Sequence, residues 1–165
     1  MALTDAELGH AIQVELRRHT VLSLATIGES GPHAVSLMYA HDAFDIYWLS
    51  DPKTRHSQNL ASNPSAAVAI ARQTEDFQNI RGLQMEGAGH RLAETDAERA
   101  GFDLLVARYP FLKQFAAGEL ARNLDAAALY RFRPARLTLI DNSRGFGFKQ
   151  TLDLADRPGE TVDPA

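Results

Sequence analysis

Apolar residues recur at helical spacing at Leu8, Ala11, Ile12 and Leu16, just after Thr4 and Glu7, a pair spaced to form a capping box. Residues 5 to 18 are therefore predicted to form an amphipathic helix lying against the core. The period then changes to that of strands. "TVLSLATIG", "PHAVSLMYA" and "FDIYWLS" are β-rich runs separated by a Gly-Glu-Ser-Gly turn and a His-Asp-Ala turn, which predicts a three-strand meander. A short helix from about Thr54 to Ala61, closed by Asn63-Pro64, precedes two further strand patterns, "AAVAIAR" and "IRGLQMEGAGHRL". Thr95 with Glu98 opens another helix, "DAERAGFDLLVARY", which should stop near Tyr109-Pro110 because proline disfavours helical geometry in the residue before it. After the weakly patterned "FLKQFAAGELARN", the runs "ALYRFRP" and "RLTLIDN" predict a closing strand pair. The tail from Asp153 is expected to be poorly ordered.

Short strands with tight turns and few helices between them point to a mainly β fold with flanking helices, an antiparallel barrel rather than a doubly wound parallel sheet. Apolar side chains on both alternations of "VLSLATI" and "AAVAIA" predict strands buried on both faces, by helices or by a second copy of the chain. With 165 residues, 45% of them hydrophobic, one domain over residues 1–152 and a tail over 153–165 are expected. The balance of 17 basic and 21 acidic residues gives a net charge of −4, too little positive field to gather nucleic acid or an anionic membrane. Without cysteine there is no disulfide, thiolate metal site or cysteine nucleophile. The N-terminus lacks the apolar core of a signal peptide and no stretch approaches the ~20 apolar residues of a membrane helix, so a cytoplasmic protein is expected.

Chemistry concentrates at one strand-to-helix corner, "WLSDPKTRHSQNLASNP". Ser50, Lys53, Thr54, Arg55 and His56 offer hydroxyl, cationic and backbone donors where a helix begins, the set that suits a dianionic phosphate. The same residues also fit a solvated helix start capped by Thr54 or Asp51. Cations at the N-terminal end of a helix oppose its macrodipole, which is easier to explain if an anion sits among them. Elsewhere the signals are weak. The six histidines include no pair at the spacing that puts two metal ligands on one helical face, neither Gly-x-Gly opens a dinucleotide-binding unit, and there is no Gly-x-Ser-x-Gly elbow.

The order of these segments resembles the FMN-binding split barrel of the pyridoxamine 5′-phosphate oxidase superfamily, and within it an uncharacterised bacterial branch. Thr54, Arg55 and His56 stand where that family has a Ser-Arg-Lys-like triplet for the flavin phosphate, with Asn63-Pro64 at the expected distance. "LATIGESGPHAVSLMY" resembles the family's first hairpin, and "GLQMEGAGHRLAETDAERAGFDLL" its strand, Glu-Gly turn and helix. The resemblance implies a ring-contacting strand at Val35, Ser36, Leu37 and Met38, a phosphate site at Leu49, Ser50, Lys53, Thr54, Arg55 and His56, and a further flavin contact at Gln84.

Departures bear on the substrate. Val35 and Ala40 replace an arginine and a lysine of the oxidase, Gly82 stands where it has glutamine, and its C-terminal tryptophan and arginine signature is missing. Vitamin B6 oxidation is thus not expected. The resemblance implies FMN as cofactor, with haem or a deazaflavin as alternatives, and a flavin-dependent oxidoreductase moving electrons between a nicotinamide or small organic donor and an acceptor. The alternative is a non-catalytic protein that stores or senses flavin or haem. It further implies a homodimer with the flavin at the interface, completed by Gln84 and the segment from Asn142 to Phe146, and a small-molecule substrate.

Overall fold

The computed structural model describes residues 2–93, 96–115 and 127–154. Helix α1 (Asp5–Arg18) begins as its capping box predicts, Thr4 accepting the Glu7 N–H and the Glu7 carboxylate accepting the Thr4 N–H. A helix of 14 residues is marginal alone. Its Leu8, Ile12 and Leu16 are fully buried, and at roughly 1.5–3 kcal/mol per buried aliphatic side chain they hold it to the sheet.

The strands are β1 (Val21–Gly28), β2 (Gly31–Met38), β3 (Ala40–Asp42), β4 (Asp45–Ser50), β5 (Ser65–Ala71), β6 (Arg81–Arg91), β7 (Ala128–Asp141) and β8 (Lys149–Asp153). Helix α2 (Arg55–Ser62) joins β4 to β5, while α3 (Asp96–Arg108) and α4 (Leu112–Phe115) lie between β6 and β7. All pairings are antiparallel, in the order β2-β1-β5-β6-β7-β4-β3, with β8 also on β7. The inner side of this sheet and α1 enclose one core that includes Leu24, Tyr39, Trp48, Phe132 and Leu139. A smaller cluster under α3 gathers Tyr47, Leu105, Tyr109 and Leu129. The helix ends at Arg108, before Tyr109-Pro110, as expected; its predicted start at Thr95 lies outside the described residues.

Four expectations are corrected. The three-strand meander holds only for its first pair, β1 with β2; β4 pairs with β3 and β7 instead, and β2 is left at the edge of the sheet. The closing strand pair is one strand, β7, whose first half pairs with β4 and whose second half pairs with β8. Pro134 sits between those halves, opposite a register shift at Glu86/Gly87, so its missing N–H interrupts no ladder. Gly87 is needed there, since a Cβ would stand 2.2 Å from the Arg133 carbonyl oxygen. Asp153 does not begin a loose tail but ends β8, where Arg136 Nε donates to its carboxylate at 2.7 Å; residues 155–165 lie outside the description. Finally, β1 and β5 are buried on one face only. Val21 and Ile27 remain 48% and 49% exposed, and the other outward positions of these strands are Ser23, Ala25, Ser65, Ala67, Ala69 and Ala71.

Candidate functional site at the β4–α2 corner

Strand β4 ends at Ser50, and Asp51 turns the chain by accepting the Lys53 N–H on its carboxylate and the Thr54 N–H on its carbonyl. The two N-termini of α1 and α2 are built differently. Thr4 caps α1, whereas Thr54, at the equivalent place before α2, makes no capping bond, and the first turn of α2 carries no acidic residue. The positive end of α2 is thus left without the side-chain acceptor or counter-charge that helix starts usually recruit.

The Thr54 hydroxyl joins a cluster instead. Its Oγ1 lies 2.8 Å from the Asp51 carbonyl oxygen and 2.8 Å from Ser57 Oγ. His56 Nε2 lies 2.6 Å from Ser50 Oγ and 3.2 Å from Thr54 Oγ1. The His56 ring is buried and lies nearly parallel to that of His33 on β2, with centroids 6.3 Å apart. Burial first, and the neighbouring His33 second, push the His56 imidazole below its ordinary pKa. At neutral pH it is uncharged.

Two further contacts fix α2 in place. Asn59 Nδ2 donates to the buried Thr26 Oγ1 at 3.0 Å. Gly28 makes room for that amide, since a Cβ would stand 2.1 Å from Asn59 Oδ1. Arg55 donates to the Ser30 carbonyl at 3.1 Å, tying α2 to the β1–β2 turn.

Of the residues singled out in the sequence, Ser50, Thr54 and His56 come together, and Arg55 and the exposed Lys53 flank them. Val35 and Leu37 are half-buried on the face of β2 that carries His33, in line with the corner, while Ser36 and Met38 point out from the opposite face. Leu49 packs beside the cluster under α3, facing away from the corner. Gln84 lies on the outward face of the sheet, in one row with Ala69, Ser23 and Ser36, with β5 and β1 between it and β2. Gly82 has a physical cause: a Cβ there would stand 2.1 Å from the Ile70 carbonyl oxygen, so the site admits no glutamine. Asn142 to Phe146 form a turn docked on the β5–β6 connection, with Asn142 Nδ2 donating to the Phe77 carbonyl and Phe146 87% exposed against Phe77.

Sequence reading missed His33, Ser57 and Asn59. The strand period was the available signal for His33, which shares its phase with Val35 and Leu37. Ser57 stands in the same run of donors but was not assigned to the site, and Asn59 carried no signal, because a polar residue in a short helix reads as solvent-facing.

A family model described as pyridoxamine 5′-phosphate oxidase matches residues 8–141. A UPF0306 protein of Klebsiella pneumoniae is 31% identical over 112 residues, 68% of this chain and 69% of its own length. Among solved structures, a haem-binding protein from Mycobacterium smegmatis superposes with a TM-score of 0.71 at 19% identity, over 93% of this chain and 59% of its own. A FAD-binding protein from Mesorhizobium loti superposes with a TM-score of 0.62 at 17% identity, over 82% of this chain and 92% of its own. Among the described residues no helix is long and apolar enough to cross a membrane. At such identities the structural likeness carries the fold, and the family match carries the membership: the chain belongs to the pyridoxamine 5′-phosphate oxidase family and has its antiparallel split-barrel fold.

Proposed function

We propose that the chain binds FMN with its phosphate at the β4–α2 corner and acts as a flavin-dependent oxidoreductase. The observation that carries this reading is the uncapped start of α2, without an acidic residue in its first turn, beside converging Ser50, Thr54 and His56. Uncapped N–H groups, hydroxyls and an imidazole fit a phosphate dianion, whereas Lys53 and Arg55 supply the charge around it. His33, Val35 and Leu37 run from the corner along β2 and give a half-buried wall against which a ring can lie. Bound FMN would supply reversible electron transfer, and the protein's part is to anchor, orient and shield it.

The working unit in this reading is a homodimer formed through the outward face of β1 and β5. Neither strand presents a charged side chain there, and the exposed Val21 and Ile27 are better buried against an identical face. Gln84 lies on the same face and would meet the partner there. Light scattering at micromolar concentration should give about twice the chain mass; a monomer would remove the shared site but leave the corner.

The second reading, a non-catalytic flavin- or haem-binding protein, draws on the likeness to the M. smegmatis haem-binding protein. The absorbance spectrum of the purified protein separates flavin, deazaflavin and haem. Steady-state oxidation of NADH or NADPH then separates enzyme from binder: FMN binding without turnover would favour the second reading.

A further inference from the structure

Most arginine side chains held against this fold end on an acceptor. Arg18, Arg55, Arg81, Arg108, Arg136 and Arg144 each donate at least one hydrogen bond to a carboxylate or a backbone carbonyl. Arg131 and Arg133 donate none to such a group among the described residues, although at 25% and 35% they are less exposed than Arg18, Arg136 or Arg144. Their nearest carboxylate is Asp45, whose Oδ2 lies 3.9 Å from Arg131 Nε and 3.5 Å from Arg133 Nε. Both distances exceed the ~3.2 Å limit of a good N–H···O bond. The Arg133 Nε is buried with no partner, and Arg131 reaches only the Tyr47 hydroxyl besides. Native folds satisfy nearly all such donors, so two largely shielded guanidiniums without a close acceptor are arranged for a ligand that brings one.

The strand sets the geometry. Tyr130 and Phe132 enter the core, so Leu129, Arg131 and Arg133 share the other face of β7. The register puts Tyr47 and His90 on either side of Arg131, and Ala88 beside Arg133. Ala88 offers only a methyl there, while the exposed His90 adds a ring nitrogen. The acids at this place are Asp45 and, paired with it across β3, Asp42. Asp45 offsets one of the two arginine charges. Its planar carboxylate has two oxygens, enough for one fork, and the two forks start about 7 Å apart along the strand. A tetrahedral oxyanion has four oxygens and can face both.

We propose that Arg131 and Arg133 form a second anion site, for the phosphate-type group of a small molecule. Ile46 and Trp48 lie on the core side of β4 and Tyr47 on the α3 side, so the pair occupies the opposite face of the sheet from Ser50 and the β4–α2 corner. The site is independent of the FMN reading.

The test follows the arginine Nε–H signals of the full chain by NMR, assigned with Arg131→Gln and Arg133→Gln, as inorganic phosphate is added. The Arg131 and Arg133 signals should shift together and saturate. In Arg131→Lys, which keeps the charge and loses the fork, the Arg133 signal should report phosphate binding weakened about tenfold or more. Acetate should bind at least about tenfold more weakly than phosphate in the natural chain. Arg55→Ala should leave the titration unchanged, which separates this site from the corner whether or not FMN binds there. If Arg133→Gln does not fold, Arg131→Gln assigns its own signal and the Arg131→Lys comparison still decides. Shifts that sodium chloride reproduces at equal ionic strength would overturn the site, and acetate binding as tightly as phosphate would overturn its ligand class. Shifts that follow protein concentration without added phosphate would give the arginines to a carboxylate of a second copy and overturn the small-molecule assignment.

Discussion

Asn59→Ala tests how α2, and with it the corner, is held in place. The amide donates to Thr26 Oγ1 at 3.0 Å, and both side chains are buried. Removing it strands a buried hydroxyl, at a cost of about 1–3 kcal/mol. For a chain of this size each kcal/mol shifts the thermal midpoint by about 2–4 °C, so a fall of about 2–12 °C is expected by circular dichroism. The cost alone does not identify the bond, so the decisive assay is a double-mutant cycle with Thr26→Val. The double variant should be less destabilised than the sum of the singles by about 0.5–3 kcal/mol. A second arm uses Gly28→Ala, whose methyl would stand 2.1 Å from Asn59 Oδ1. That substitution should destabilise the natural chain and be tolerated once Asn59 is alanine. If the cycle adds to within about 0.5 kcal/mol and Gly28→Ala costs the same in both backgrounds, α2 is anchored by something else.

Three other outcomes follow from the same structure. Arg55→Ala should weaken FMN binding about tenfold or more by titration, while its exposed bond to the Ser30 carbonyl means the thermal midpoint moves by less than about 2 °C; unchanged affinity would remove Arg55 from the site. Gly82→Gln, which restores the residue of the oxidase, should cost about 3 kcal/mol or more in chemical denaturation, because any Cβ meets the Ile70 carbonyl oxygen; native stability would contradict the close approach. Burial resists ionisation of Asp141, but hydrogen bonds from Ser143 and the charge of Arg81 outweigh it and hold the carboxyl below its ordinary value. Its stabilisation is therefore present above the ordinary carboxylate range and lost as pH falls through the depressed value, so the difference in midpoint between the natural chain and Asp141→Asn should close on acidification, and a constant difference would refute the assignment.

Much of the fold was legible because local chemistry and tertiary packing agree. The capping box at Thr4 and Glu7, the period of Leu8, Ile12 and Leu16, and the Pro110 stop all specify elements that form as read. The failures are tertiary. Pro134 reads as a break, yet β7 runs through it because β4 ends and β8 begins on either side of that residue. Strand β8 buries Leu152 alone, so its sequence shows little alternation, and pairing with β7 and the Thr138–Thr151 contact hold it instead. The apolar outward side chains of β1 were legible as apolar, but their exposure in a single chain was not, since the pattern reports a preference for burial and not which surface supplies it. At the corner, the cluster of donors was legible. The stacking of His33 on His56 was not, because it joins a β2 residue to an α2 residue that only the fold brings together.

The central claim is that the β4–α2 corner holds a phosphate. Fluorescence titration of the purified chain with FMN and with riboflavin, which differ in that group alone, tests it most directly. The uncapped α2 start and the donors at Ser50, Thr54, Arg55 and His56 predict that riboflavin binds at least about tenfold more weakly, one charge-assisted contact being worth that much. Equal dissociation constants for the two ligands would mean that the corner is an ordinary solvated helix start, and the proposed site would be wrong.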